Sequence, residues 1–242
     1  MTVDQYDKIA AQIVTGTSVV VVVCKHNVNG IVKTSATQYA RLINAINARL
    51  SKILVPVCSN TTRSNTHVVI GGHSSSGQAA FEAMQNDLYT FEPLAFFGLD
   101  PFQISPSTIH SHHSMPLPSL YWGLTETTCF VNVEKAATGA YRLTDPTMGG
   151  KVLYSIDNKK DKAVTHCIFT DHGCGMGAIV VCPATQSESK WVHQAVAKSL
   201  HNFLLALKDG NEFERKLFEL PVTASGEVQL HVNEEVMLFD ED

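Results

Sequence analysis

Three residue types in one chain order point to acyl-transfer chemistry: Ser74, Asp100 and His172. A serine hydroxyl is a weak nucleophile until a histidine takes its proton, and that histidine needs an acid to fix its tautomer and orientation. Ser74 lies within Val68 to Ala79 (VVIGGHSSSGQA), where a β-branched run meets two glycines and then a run of helix formers. This order predicts a strand, a sharp turn and a helix, the setting in which G-x-S-x-G motifs lift a serine hydroxyl above a sheet. Among three adjacent serines, Ser74 has Gly72 two before it and Ser76 two after, whereas Ser75 would have His73 at the crowded position. Ser76 stands where glycine is usual, and Gly77 follows at once. An ordinary Gly/Ser turn between strand and helix is the alternative reading.

Elements on both sides must position these residues. Tyr6, Ile9, Ala10, Ile13 and Val14 recur at helical spacing before Gly16, and Tyr39, Leu42, Ile43, Ile46 and Leu50 form a second amphipathic stripe. The run Ser18 to Cys24 (SVVVVVC) reads as a strand buried on both faces, whereas Ile53 to Val57 carries Pro56 and reads as an edge or loop. A helix follows from Gln78, then a strand at Leu94 to Leu99 ending in Asp100-Pro101, and a Pro-rich loop to Pro118. Further strands are expected at Thr127 to Val133 and Ala163 to Thr170, with a short extra element at Lys151 to Ile156. Trp191 to Leu207 predicts a long amphipathic helix ended by Gly210, and the acidic stretch from Glu227 reads as a mobile tail. The alternation predicts one α/β domain over residues 1–242, a doubly wound and mostly parallel sheet. Such sheets bind ligands outside the carboxyl ends of their strands, where this reading places Ser74, Asp100, Glu134 and His172.

Composition narrows the function classes. A net charge of −5 without a basic stripe argues against a nucleic-acid partner, and no apolar run is long enough to embed the chain in a membrane. Six cysteines without a leading signal sequence point to reduced thiols and a cytoplasmic protein. Cys167, Cys174 and Cys182 lie near His166 and His172, but no C-x-x-C pair exists and the spacing fits no common zinc site, so no metal is expected. His110, His112 and His113 fall in the Pro-rich loop and read as solvated side chains.

The segments GGHSSSGQAAF and LAFFGLDPF carry a resemblance to a known family. They are similar to the G-H-S-x-G-G elbow and the G-[IVL]-D-P strand end of the chlorophyllase and polyester-hydrolase (dienelactone-hydrolase-like) group of α/β-hydrolases, over roughly residues 4–208. The resemblance implies an α/β-hydrolase fold, a serine esterase or carboxylesterase activity, Ser74 as nucleophile, Asp100 as the triad acid and no cofactor. Glu134 occupies the acid position of most other α/β-hydrolases and is the alternative acid. Two departures stand out. Aligned without gaps, the family's D-Y-G-H falls on Asp171 to Cys174, which puts Cys174 at the histidine position and His172 two residues early. The helix at Tyr6 resembles the one that follows the family's oxyanion loop, so the chain reads as amino-terminally short, with the Ser75 amide as the remaining oxyanion donor.

The resulting expectation is a carboxylic-ester hydrolase with His172 as general base and a small-molecule ester as substrate. The stretch from Phe102 to Trp122 holds eight large apolar residues and no Lys or Arg, which favours esters with a bulky apolar portion, as chlorophyllases cleave. Inward packing of those residues is the alternative. From a different class, the rival is an inactive hydrolase homologue acting as a binding or interaction protein, favoured by Cys174 and the absent loop.

Overall fold

A computed structural model describes residues 6–14, 19–24, 35–54, 67–101, 117–124, 136–144, 151–158, 165–171, 189–209 and 228–233. Their centre is a five-stranded sheet in the order β1 (Val69–Ser74), β2 (Ala95–Pro101), β3 (Ser119–Leu124), β4 (Lys151–Asn158) and β5 (Val228–Asn233). The first four strands run parallel, and β5 pairs antiparallel with β4. The α/β class expected from the alternation is therefore present, with helices on both faces.

The pleat decides which helix each strand residue meets. Phe96, Tyr121 and Leu153 face one layer, built from α2 (Ala36–Ala48), α4 (Ser75–Gln85) and α5 (Ala136–Arg142). Ala95, Leu120, Trp122, Val152 and Tyr154 face the other, built from α1 (Asp7–Val14) and α6 (Ser189–Asp209). Trp122 stacks on Tyr154 with ring centres 4.8 Å apart and donates its indole N–H to Ser199 on α6 at 2.9 Å. That bond removes the cost of burying the indole nitrogen. Opposite, Tyr39 of α2 donates its hydroxyl to the Gly71 carbonyl at 2.6 Å, tying that layer to β1 just before the serines.

Several sequence expectations change. Val19 to Cys24 joins no strand ladder: Val19 and Val21 pack on the core while Val20 and Val22 are exposed, so only one side of the run is covered. Leu50–Leu54 is a short helix (α3) continuing past Arg49 and ending two residues before Pro56. The stretch read as loop up to Trp122 contains β3, in which Leu120, Tyr121 and Trp122 are fully buried, so they are core and line no substrate entrance. Residues 136–142, read as part of a polar stretch, form α5. Its C-terminal carbonyls are met by Lys151, whose buried ammonium donates to Tyr141 and Thr144 and lies 4.5 Å from the Tyr141 ring centre.

Three more corrections concern the carboxyl-terminal third. The expected strand at Ala163 to Thr170 is a 3₁₀ turn at His166–Phe169. Thr165 accepts the Cys167 amide on its hydroxyl and Thr170 donates its own to the Cys167 carbonyl, and such local bonds compete with a strand ladder. Residues 228–233 of the expected tail are strand β5. Cys167, expected reduced, is disulfide-bonded, with its partner outside the described residues. No helix of the described residues is long and apolar enough to cross a membrane.

Candidate active site

The turn after β1 explains where Ser74 sits. Ser74 has φ 59° and ψ −134°, a conformation that a residue with a side chain adopts only under strain. Strand β1 ends on Ser74 and helix α4 begins on Ser75 with no intervening residue, so the turn is as tight as a strand-to-helix junction permits. A Cβ added at Gly72 would lie 2.7 Å from the Gly77 nitrogen, and one at Gly77 would lie 2.7 Å from the Gly72 oxygen. The second small residue this elbow requires is thus Gly77, three after the serine. Ser76, at the position where glycine is usual, is half-buried and fits. Ser75 opens α4, so its amide is one of the first-turn N–H groups that point back along the axis toward the elbow.

Asp100 reaches the same sheet edge by a different distortion. The β1 and β2 ladders run in step until His73 pairs with Leu99, and then Ser74 pairs with Pro101, leaving Asp100 as the extra residue. Asp100 takes φ 38°, and a bulge of this kind re-aims a side chain. Its carboxylate is buried, and Oδ2 accepts a hydrogen bond from His166 Nδ1 at 2.6 Å. Burial pushes the Asp100 carboxyl up from the usual range, and the bond and charge of His166 oppose that shift. Oδ1 has no hydrogen-bond partner among the described residues.

Since the carboxylate accepts, His166 Nδ1 carries the proton of this bond, and in the neutral ring Nε2 keeps its lone pair. That Nε2 is buried and has no hydrogen-bond partner among the described residues. It is accordingly not bonded to the Ser74 hydroxyl. An imidazole with Nδ1–H held by a carboxylate and a bare Nε2 has the protonation pattern of a general base.

His73, immediately before Ser74, completes the cluster. Its ring stacks on that of His166 with centres 4.3 Å apart and planes at 29°. Nε2 of His73 lies 3.1 Å from the His166 carbonyl, and Nδ1 lies 2.6 Å from the Tyr6 hydroxyl of the residue preceding α1. Burial, followed by the charge of His166, holds the His73 pKa well below that of a free histidine, so its ring stays neutral.

The structure thus brings Ser74, Ser75 and Asp100 to one corner of the sheet. His172, expected as the base, and Glu134, the alternative acid, lie outside the described residues, as do Cys174 and the three loop histidines. The sequence points to His166 only as a neighbour of a possible zinc site, because AVTHCIFT reads as a buried strand. The usable signal was the pair of threonines flanking HCIF, which favours a local turn over a ladder. No group of three or more His, Cys, Asp or Glu capable of holding a metal ion occurs among the described residues. No protein-family model matches the chain, and no curated protein matches it.

Proposed function

We propose that this protein is a serine hydrolase of carboxylic esters in which Ser74 is the nucleophile, His166 the general base and Asp100 the acid that orients it. The observation that carries this reading is the buried Asp100 and His166 pair, its bare Nε2 held at the strand ends where a strained serine opens a helix. The chain order serine, acid, histidine is retained, with the histidine moved from residue 172 to residue 166.

The chemistry follows from these groups. The Ser74 oxygen attacks the ester carbonyl carbon while its proton passes to His166 Nε2, and the resulting imidazolium is stabilised by the Asp100 carboxylate. The Ser75 amide donates to the oxygen that becomes negative. His166 then returns the proton to the departing alcohol as the carbon–oxygen bond breaks, leaving acyl-Ser74. A water molecule, deprotonated by the same Nε2, attacks the acyl carbon, and the bond to Ser74 breaks as His166 returns the proton to the Ser74 oxygen, releasing the carboxylic acid. No step calls on a cofactor.

An α/β-hydrolase fold belongs to this proposal, supported by the elbow, the strand-end acid and the parallel sheet. So does a substrate with a bulky apolar portion, which now rests on Phe102, Ile104, Ile109 and Met115, outside the described residues. The rival reading, an inactive homologue that binds a partner, is favoured by the absence of a bond between Ser74 and His166 Nε2. Catalytic hydrogen bonds are often long before substrate arrives, which keeps the hydrolase reading ahead.

Labelling with a serine-directed fluorophosphonate decides between the two. A modified Ser74, lost in Ser74→Ala, together with hydrolysis of p-nitrophenyl esters, is the expected result. An unlabelled Ser74 in folded protein supports the binding protein. A chain-length series of esters then tests the apolar preference, and a specificity constant falling steadily from acetate upward would exclude it.

A further inference from the structure

We infer that Tyr6 and His73 are positioning residues that hold the His166 ring as a base, a role that rests on the ester-hydrolase reading above. The argument starts from donors and acceptors. The His166 carbonyl can only accept, so the His73 nitrogen 3.1 Å from it, Nε2, carries the hydrogen. His73 is neutral, which leaves Nδ1 with a lone pair, and the Tyr6 hydroxyl 2.6 Å away must then be the donor. Tyr6 therefore selects one tautomer of His73, and that tautomer grips the backbone of the very residue whose ring lies against it.

The two stacked rings consequently hold opposite tautomers: Nε2–H on His73, Nδ1–H on His166. Each is fixed by a different partner, Tyr6 for one and Asp100 for the other. The bond from His73 also joins the residue before the nucleophile to the turn that carries the base, so the separation of β1 and the 3₁₀ turn is set at one point. Without the Tyr6 hydroxyl, His73 gains access to the Nδ1–H form, which turns an Nε2 lone pair toward the His166 carbonyl. Two acceptors then face each other and the grip opens. The His166 ring would still reach Asp100 but would lose the surface that fixes its tilt.

The test combines a spectroscopic and a kinetic readout on the full chain. Imidazole nitrogen shifts in ¹⁵N-histidine-labelled protein report each tautomer, and turnover of a p-nitrophenyl ester reports the base. In the unmodified protein His73 should show Nε2–H and His166 Nδ1–H. Tyr6→Phe, which keeps the packed ring, should mix the His73 tautomers, move the His166 signals and lower kcat about tenfold with KM within about twofold. His73→Leu should likewise move the His166 signals and lower kcat, and His73→Gln, whose amide can still donate to the carbonyl, should recover most of the loss. If His73→Leu does not fold, Tyr6→Phe decides alone. Unchanged His166 signals and unchanged kcat in Tyr6→Phe overturn the positioning role, while fluorophosphonate labelling of Ser74 in the same preparation leaves the hydrolase standing. An unmodified protein that is neither labelled nor active overturns both.

Discussion

Two buried aspartate–histidine pairs lie five residues apart along the 3₁₀ turn and its exit, and they are built for different work. In the first, His166 gives Nδ1–H to Asp100 at 2.6 Å and keeps a bare Nε2. In the second, His193 of α6 gives Nε2–H to the Ile168 carbonyl at 2.9 Å, so its bare nitrogen is Nδ1, which faces Asp171 across 3.5 Å. Asp171 is not idle: its Oδ2 accepts the Lys8 amide at 3.0 Å in the first turn of α1, where a carboxylate is favoured by the helix dipole. The same two residue types thus make the proposed base in one place and a helix cap in the other. What separates them is the acceptor each ring donates to, a carboxylate at Nδ1 of His166 and a backbone carbonyl at Nε2 of His193.

The largest expected effect breaks the comparison at the acids. Asp100→Asn removes the charge that stabilises the imidazolium and offers an amide N–H that favours the wrong His166 tautomer, and it should lower kcat for ester hydrolysis by about 10³- to 10⁴-fold. Asp171→Asn, which can still accept the Lys8 amide, should leave kcat within about twofold. Equal losses in steady-state assays of the two variants would show that the second pair also serves the reaction.

A smaller effect separates the pairs by stability against pH. Burial lowers the His193 pKa, and the backbone bond and the Asp171 charge only partly oppose it. The folded protein therefore binds fewer protons here than the unfolded chain. Stability from this group is complete above the unfolded value of about 6.5 and is lost as pH falls through the folded one, at up to about 1.4 kcal/mol per pH unit. His73 acts in the same direction. Denaturant unfolding between pH 7 and 5 should show the slope, and His193→Gln should flatten it without changing kcat. An unaltered slope in His193→Gln would remove His193 from the account. The smallest effect is Asp171→Ala, which loses the cap on α1 and should cost about 1 kcal/mol of unfolding free energy.

How much of this was legible in the sequence depends on what each signal reports. The elbow was readable because sterics leave few alternatives around Ser74, and LAFFGLDP announced both its strand and its carboxylate. Long stripes such as Tyr39 to Ile46 and Trp191 to Leu207 were readable from period alone. Strand β3 was not, since SLYWGL follows a Pro-rich stretch and its aromatic residues suit a loop mouth as well as a core. Val19 to Cys24 misled in the opposite sense: composition reported the backbone's preference, but ladder pairing needs a neighbour that five valines cannot specify. The identity of the base was hidden for a similar reason, because a hydrogen bond between residues 100 and 166 leaves no trace in local spacing.

The contact between Gly72 and Gly77 has a consequence for mutational tolerance. Main chain meets main chain there, and Pro101 closes the other side, its Cβ 3.0 Å from where a Gly77 side chain would begin. The strained serine is thus braced by backbone atoms, whose shape does not depend on the residues between them. Position 76 is left open to drift in sequence, whereas a single methyl at 72 or 77 would push the whole helix away from the sheet. A turn braced in this way carries its constraint in spacing, glycine to serine to glycine at −2 and +3, and a search for the shorter pattern would pass over a chain that uses it.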